Sequence, residues 1–222
     1  PLDERPSEYQ AYTVEASNSV AGPPSVIDVT PDGKYAYVIE TFSPRPGKSD
    51  DETFADFKLG TTLTILDLSD PKKPKQLDKV TIDDRPLSVS VNKDGTLLAI
   101  SYHPLDGNGR SPIGIHRIKS DGKIEGDFTP TIKGWDNKAQ LVDVVWHPKE
   151  NILALLNQSG NTVQFVRVND NGVNIFFERW GNVVGLGKNP MVGRFSEDGK
   201  HYLANNLYWG TDVFNSWTEA PN

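Results

Sequence analysis

A short turn unit recurs four times along this chain, and each copy is framed by two runs of apolar or alternating residues. The copies are Thr30-Pro31-Asp32-Gly33, Asn92-Lys93-Asp94-Gly95, His147-Pro148-Lys149-Glu150 and Ser196-Glu197-Asp198-Gly199. Runs such as Ser25-Val26-Ile27-Asp28-Val29 and Leu141-Val142-Asp143-Val144-Val145 precede them. Runs such as Tyr35-Ala36-Tyr37-Val38-Ile39 and Ile152-Leu153-Ala154-Leu155-Leu156 follow. Strand, turn and strand repeated at roughly 50 to 60 residues mark a propeller or a solenoid, because one such unit cannot bury both of its faces alone.

The pattern divides the chain into blades. The first, 23–84, holds two strands, an insertion at 42–60 rich in proline and acid, and the hairpin Thr62–Leu68 with Gln76–Ile82. The second, 85–138, reads as strands at Leu87–Val91, Leu97–Tyr102, Ile113–Lys119 and Lys123 to about Ile132. The third, 139–187, has strands at Leu141–Trp146, Ile152–Asn157, Thr162–Val168 and Val173–Arg179, with Asn169-Asp170-Asn171-Gly172 closing the last hairpin. The fourth, 188–222, is partial. Its strands Pro190–Phe195 and His201–Asn206 are clear, whereas Thr211–Trp217 matches the other third strands poorly. Tyr9–Ala16 reads as a lone outer strand. The expected class is therefore all-β, a β-propeller of four-stranded antiparallel blades. Either the lone strand closes a four-bladed ring, or the chain is part of a ring of about seven blades, which the weak fourth blade favours. An open half-ring exposes apolar blade faces, so another chain or chain segment is expected to complete it.

These units resemble the YVTN-type, lactonase-like β-propellers, whose repeats join an entry strand after proline, an Asp-Gly turn and a Tyr-Val second strand. The matching stretches are Pro24–Val29 with Pro31-Asp32-Gly33 and Tyr37-Val38, Pro86–Val91 with Asp94-Gly95, and Pro190–Phe195 with Asp198-Gly199. The hairpin Leu66–Pro74 is similar to the related LVIVD-type repeat. The resemblance implies fold more than chemistry, because the motif residues shape turns and strand packing. Such propellers include sugar lactonases, amine dehydrogenase subunits, surface-layer proteins and binding proteins.

Composition narrows these classes. The net charge of −7 leaves no basic face for nucleic acid. With no cysteine, disulfides, thiolate catalysis and thiol-ligated metals are excluded. No apolar run approaches the ~20 residues of a membrane span. The start, Pro1-Leu2-Asp3-Glu4-Arg5-Pro6, is not a signal peptide. A start of this kind fits a chain already processed, and the expected location is periplasmic or extracellular.

In a propeller the connections from second to third strand and from one blade to the next gather on one face around the axis. That face collects Glu40, His103, Asn157 and Asn205 at strand ends, with Arg85, Gln140 and Asn189 between blades and Arg110 in a loop. Glu40 and His103 are candidate catalytic residues for activating water. Arg85, Arg110, Gln140, Asn157 and Asn205 are candidate ligand-binding residues. The same polar set can equally line a watered channel. No HxH or HxxxH spacing is present, so a divalent cation would be held only through side chains that the fold brings together. Ser49-Asp50-Asp51-Glu52 lacks the spaced ligands and glycine of a calcium loop and reads as solvated. Phe54 and Phe57 either cover the axial opening or anchor the insertion. Leu207-Tyr208-Trp209-Gly210 reads as interface, and His147, in a turn on the opposite face, as structural. The function expected is a propeller binding a small molecule or a protein on its loop-rich face. The alternatives are a lactonase-like hydrolase opening a sugar lactone and a subunit of a redox complex.

Overall fold

In every turn unit the first residue donates its amide across the turn: Thr30 N to Tyr35 O at 2.9 Å, with Asn92 to Leu97, His147 to Ile152 and Ser196 to His201 in the same relation. In the first and fourth units the third residue, Asp32 or Asp198, accepts within the turn, in the second and third the first residue, Asn92 or His147, does so, and the glycines Gly33, Gly95 and Gly199 take φ of 73°, 67° and 79°. Four such turns therefore join four pairs of antiparallel strands. The computed structural model describes residues 26–43, 58–103, 112–128, 139–206 and 215–219.

The first sheet runs β1 (Ile27–Val29), β2 (Tyr35–Ser43), β3 (Lys58–Asp67) and β4 (Lys75–Thr81), hydrogen-bonded in chain order. The second holds β5 (Pro86–Val91), β6 (Leu97–Tyr102), β7 (Ile113–Ile118) and β8 (Ile124–Phe128). The third holds β9 (Leu141–Trp146), β10 (Ile152–Asn157), β11 (Thr162–Asp170) and β12 (Ile175–Gly185). The fourth holds β13 (Pro190–Phe195), β14 (His201–Asn206) and β15 (Asn215–Glu219). Four-stranded antiparallel sheets following one another with their inner strands side by side are propeller blades. The 42–60 insertion is shorter than its pattern suggests, because Phe42 pairs with Leu59 and Ser43 with Lys58, continuing the ladder on both sides. The fourth blade does possess a third strand, paired from His201↔Glu219 to Asn205↔Asn215. It starts four residues later than the Thr211–Trp217 stretch. The expected strand at 9–16, Phe54, Phe57 and Leu207–Gly210 lie outside the described residues.

The second and third sheets are apolar on both faces because each is buried on both. Between the first and second sheets Tyr37, Ile39, Leu63 and Ile65 meet Val89, Val91, Leu98 and Ile100. Between the second and third, Leu97, Ala99, Ile113 and Ile115 meet Val144, Trp146, Leu153 and Leu155. Between the third and fourth, Ala154, Leu156 and Phe165 meet Tyr202 and Ala204. At about 1.5–3 kcal/mol per buried large side chain, these three layers are the main stabilising term.

The turn carboxylates add a pH dependence. Asp32 accepts from Thr30 Oγ1 at 2.7 Å and Lys34 N at 3.1 Å, bonds that lower its carboxyl from 3.8 to about 2. Asp198 repeats this with Ser196 Oγ at 2.6 Å and Lys200 N at 3.0 Å, and is also lowered. A carboxyl lowered in the folded state contributes stability above the unfolded value, and that contribution disappears as pH falls through the folded one. The melting temperature is therefore expected to fall between pH about 4 and about 2, and the Asp32→Asn/Asp198→Asn variant to show a shallower fall in thermal melts across that range.

Candidate functional site

The inner strands carry polar side chains within otherwise apolar runs, and these side chains tie the blades together around the axis. Asp28 Oδ2 accepts from Val91 N at 2.7 Å. Ser88 Oγ accepts from Val144 N at 3.2 Å and donates to Asp143 Oδ1 at 2.7 Å. Ser90 Oγ accepts from Trp146 N at 3.3 Å, and the Trp146 indole N–H donates to Ser90 O at 3.1 Å. Asp143 Oδ2 accepts from Gly193 N at 2.9 Å and from Arg194 Nη1 at 3.0 Å. The inner strands of the second, third and fourth sheets thus each give an amide to a side-chain oxygen of the strand before. Burial raises the Asp28 carboxyl above the usual range, with the Val91 and Val29 amides opposing the rise. A cavity of about 210 Å³ opens among these strands, with Asp28, Ser90, Trp146 and Arg194 in its wall. It sits near the turn-unit ends of the inner strands, away from the loop-rich face.

On the loop-rich face the register separates the candidates that looked equivalent. Tyr102, Asn157 and Asn206 each pair with the first residue of an inner strand, Pro86, Leu141 and Pro190. Counting from the turn units, Glu40 is their counterpart in the first sheet. His103 lies one residue beyond that position and Asn205 one before it. Because strand side chains alternate, a one-residue offset sends a side chain to the other face. Ile39 packs against the second sheet and Thr41 Oγ1 donates to Pro86 O at 2.7 Å, so the buried Glu40 between them turns to the opposite side of β2. Tyr102 packs back toward the first sheet, which starts His103 from the far side of β6. Glu40 is therefore the counterpart of Tyr102, and His103 lies just past the end of β6.

Several of the polar candidates are held by their own loops. Asn157 Oδ1 accepts from Ser159 Oγ at 2.9 Å and Gly160 N at 3.2 Å, closing the β10–β11 turn. Asn205 Oδ1 accepts from Val192 N at 2.9 Å beside the bulge in β13. Gln140 gives its carbonyl to Gln158 N at 2.9 Å and its amide to Ser159 Oγ at 3.2 Å. On the other face His147 is structural: Nδ1 accepts from Lys149 N at 3.1 Å and Glu150 N at 3.0 Å, and Nε2–H donates to Gly199 O at 2.9 Å. Arg110 lies outside the described residues.

Arg85 differs from all of these. It joins the first blade to the second with φ of 54°, a left-handed conformation that costs a side-chain-bearing residue about 1 kcal/mol. Two backbone bonds hold it there, Arg85 N to Gly60 O at 2.8 Å and His103 N to Arg85 O at 3.1 Å. Its guanidinium lies 5.6 Å from the centroid of the Phe42 ring. Nε is buried with no acceptor, and among the described residues no carboxylate pairs with the group. Burial alone acts on its pKa, lowering it. Asn189, between the third and fourth blades, adopts a matching φ of 53°, but asparagine tolerates that conformation and its amide donates to Asn161 Oδ1 at 2.8 Å. Among the described residues no three His, Asp or Glu side chains converge as metal ligands, and no helix is long and apolar enough to cross a membrane.

No family model and no curated protein matches the sequence. Solved structures do share the fold. A periplasmic gluconolactonase of Pseudomonas aeruginosa superposes with a TM-score of 0.57 at 17% identity, over 90% of this chain and 57% of that one. A putative 6-phosphogluconolactonase of Bacteroides uniformis gives 0.54 at 16%, over 92% and 59%. Hydrazine synthase of Kuenenia stuttgartiensis gives 0.57 at 14%, over 90% and 47%. The chain thus spans about half the length of each, and at these identities the likeness is one of fold.

Proposed function

We propose that this propeller binds a small anionic molecule on its loop-rich face, with Arg85 as the group that receives the anion. The observation carrying this reading is the Arg85 guanidinium, half-buried on a strained backbone and without a carboxylate partner among the described residues. Backbone strain persists where the surrounding structure enforces it, and a desolvated cation without a counter-ion is a costly group to keep unless a ligand supplies one. A carboxylate or phosphate matches the guanidinium fork, and the Phe42 ring covers one side of it. Two of the similar structures are described as a gluconolactonase and a putative 6-phosphogluconolactonase, which makes lactone opening the second reading. In it His103, whose amide holds Arg85, would activate water. The periplasmic label of the Pseudomonas structure supports an extracytoplasmic location.

Gluconate, 6-phosphogluconate and inorganic phosphate are suitable calorimetric probes. Arg85→Gly is expected to weaken binding of the preferred anion by about 30-fold or more, the cost of removing one partner of a charge-assisted contact. Its stability should remain within about 1 kcal/mol of the parent, because glycine relieves the φ strain. A merely structural arginine predicts the reverse, with stability lost and binding unchanged. If no probe binds the parent, the reading fails. Hydrolysis of glucono-δ-lactone lost in both Arg85→Gly and His103→Ala would select the second reading.

A further inference from the structure

The four sheets provide an internal comparison at one pair of inner-strand positions. In the second sheet the pair is Val89 and Val91, 3% and 8% exposed. In the third it is Val144 and Trp146, 1% and 5% exposed. In the fourth it is Gly193, which abuts Tyr202 of its own sheet, and Phe195, which packs against Phe165 of the third sheet. In the first sheet the same pair is Ile27 and Val29, and they are 53% and 41% exposed. An apolar side chain stands at every one of these positions except Gly193, and among the described residues only the later three sheets have a preceding sheet to cover them.

The hydrogen bonds repeat the comparison. Val144 N and Gly193 N, which hold the Ile27 position, donate to Ser88 Oγ and Asp143 Oδ2 of the strand before. Val91 N and Trp146 N, which hold the Val29 position, donate to Asp28 Oδ2 and Ser90 Oγ. The fourth sheet of this chain does not fit as the missing predecessor. At the positions of those oxygen acceptors it carries Val192 and Arg194, a residue with no side-chain acceptor and one with donors only. That mismatch counts against closure of a four-bladed ring and against head-to-tail docking of a second copy.

We infer that the β1 face of the first sheet receives a further four-stranded blade, carried by polypeptide outside these 222 residues, whose inner strand offers a serine or aspartate oxygen to the Ile27 amide. Its apolar inner-strand neighbours cover Ile27 and Val29 as Tyr37 and Ile39 cover Val89 and Val91. The inference is independent of the anion site, which lies between the first and second sheets.

The chain has no cysteine, so Ile27→Cys introduces a unique thiol. The tagged protein, produced at its natural level in its own host, is labelled with a maleimide and with a maleimide photo-cross-linker, and its assembly mass is measured by native mass spectrometry. Val173→Cys, at a site 72% exposed in the β11–β12 turn, serves as the open reference. The expected result is labelling at Ile27→Cys about tenfold slower than at the reference, as buried positions open only transiently. The cross-link should fall on a strand bearing serine or aspartate outside residues 1–222, and Ile27→Lys/Val29→Lys should abolish it. A single-chain mass with labelling as fast as at the reference overturns the inference. A cross-link to residues 190–206 of this chain or of a second copy also overturns it.

Discussion

Asp143→Leu is expected to lower stability by about 3–5 kcal/mol, the range seen when one partner of a buried charged network is removed. The Asp143 side chain is 1% exposed and receives Ser88 Oγ, Gly193 N and Arg194 Nη1, thereby connecting three inner strands. Leucine would leave the Gly193 amide facing a hydrocarbon, a stranded group costing about 1–3 kcal/mol, and would leave the Ser88 hydroxyl only the Val144 carbonyl at 3.4 Å. For a domain of this size the change corresponds to a drop of roughly 6–20 °C in melting temperature. Arg194→Ala removes the same ion pair from its other end, yet the Arg194 side chain is 51% exposed. Solvent screens that partner and Asp143 keeps its other donors, so a loss of only about 0–1 kcal/mol is expected. Equal losses for the two variants, measured by chemical denaturation, would show that the ion pair and not the buried acceptor matters.

Gly60→Ala is the second large effect. A Cβ at Gly60 would fall on the backbone carbonyl of Glu40, and the paired strands β2 and β3 leave neither backbone room to retreat. Overpacking typically costs 1–3 kcal/mol, and a clash with main chain belongs at about 3 kcal/mol or above. Because Gly60 O also holds Arg85 N at 2.8 Å, the variant should lose anion binding together with stability. Gly33→Ala provides the contrast. Gly33 has φ of 73°, but apart from its chain neighbours nothing lies within 4 Å of the place a methyl group would take, so only conformational strain of about 1 kcal/mol applies. Thermal melts that rank Gly33→Ala as the more damaging change would refute the close approach of β2 and β3.

The candidate site was legible in the sequence only in part, and the losses have definite causes. Arg85 stood out as a basic residue between blades, although its φ, its burial and the lack of a carboxylate beside it among the described residues belong to the fold. His103 and Asn205 were aligned with Glu40 and Asn157 by counting along strands. Counted from the turn units, His103 lies one residue beyond the shared position and Asn205 one before it, and one residue is enough to change faces along a strand. The axial network of Asp28, Ser88, Ser90, Asp143 and Arg194 was missed altogether. Its signal was present as polar residues inside otherwise apolar runs, as in Pro86-Leu87-Ser88-Val89-Ser90-Val91, but their partners lie more than fifty residues away.

Local chemistry determined what the sequence could disclose: four turn units, the alternation that pairs strands across them, and hence a chain of antiparallel blades. Turn geometry and strand periodicity act over a few residues, so they can be read without knowing where the rest of the chain goes. Tertiary structure alone decided which oxygen meets which amide, that Arg85 is strained and half-buried, and that Ile27 and Val29 stand exposed where their counterparts are covered. Those outcomes depend on how whole sheets pack, and burial, unlike turn formation, is a property of everything that surrounds a residue.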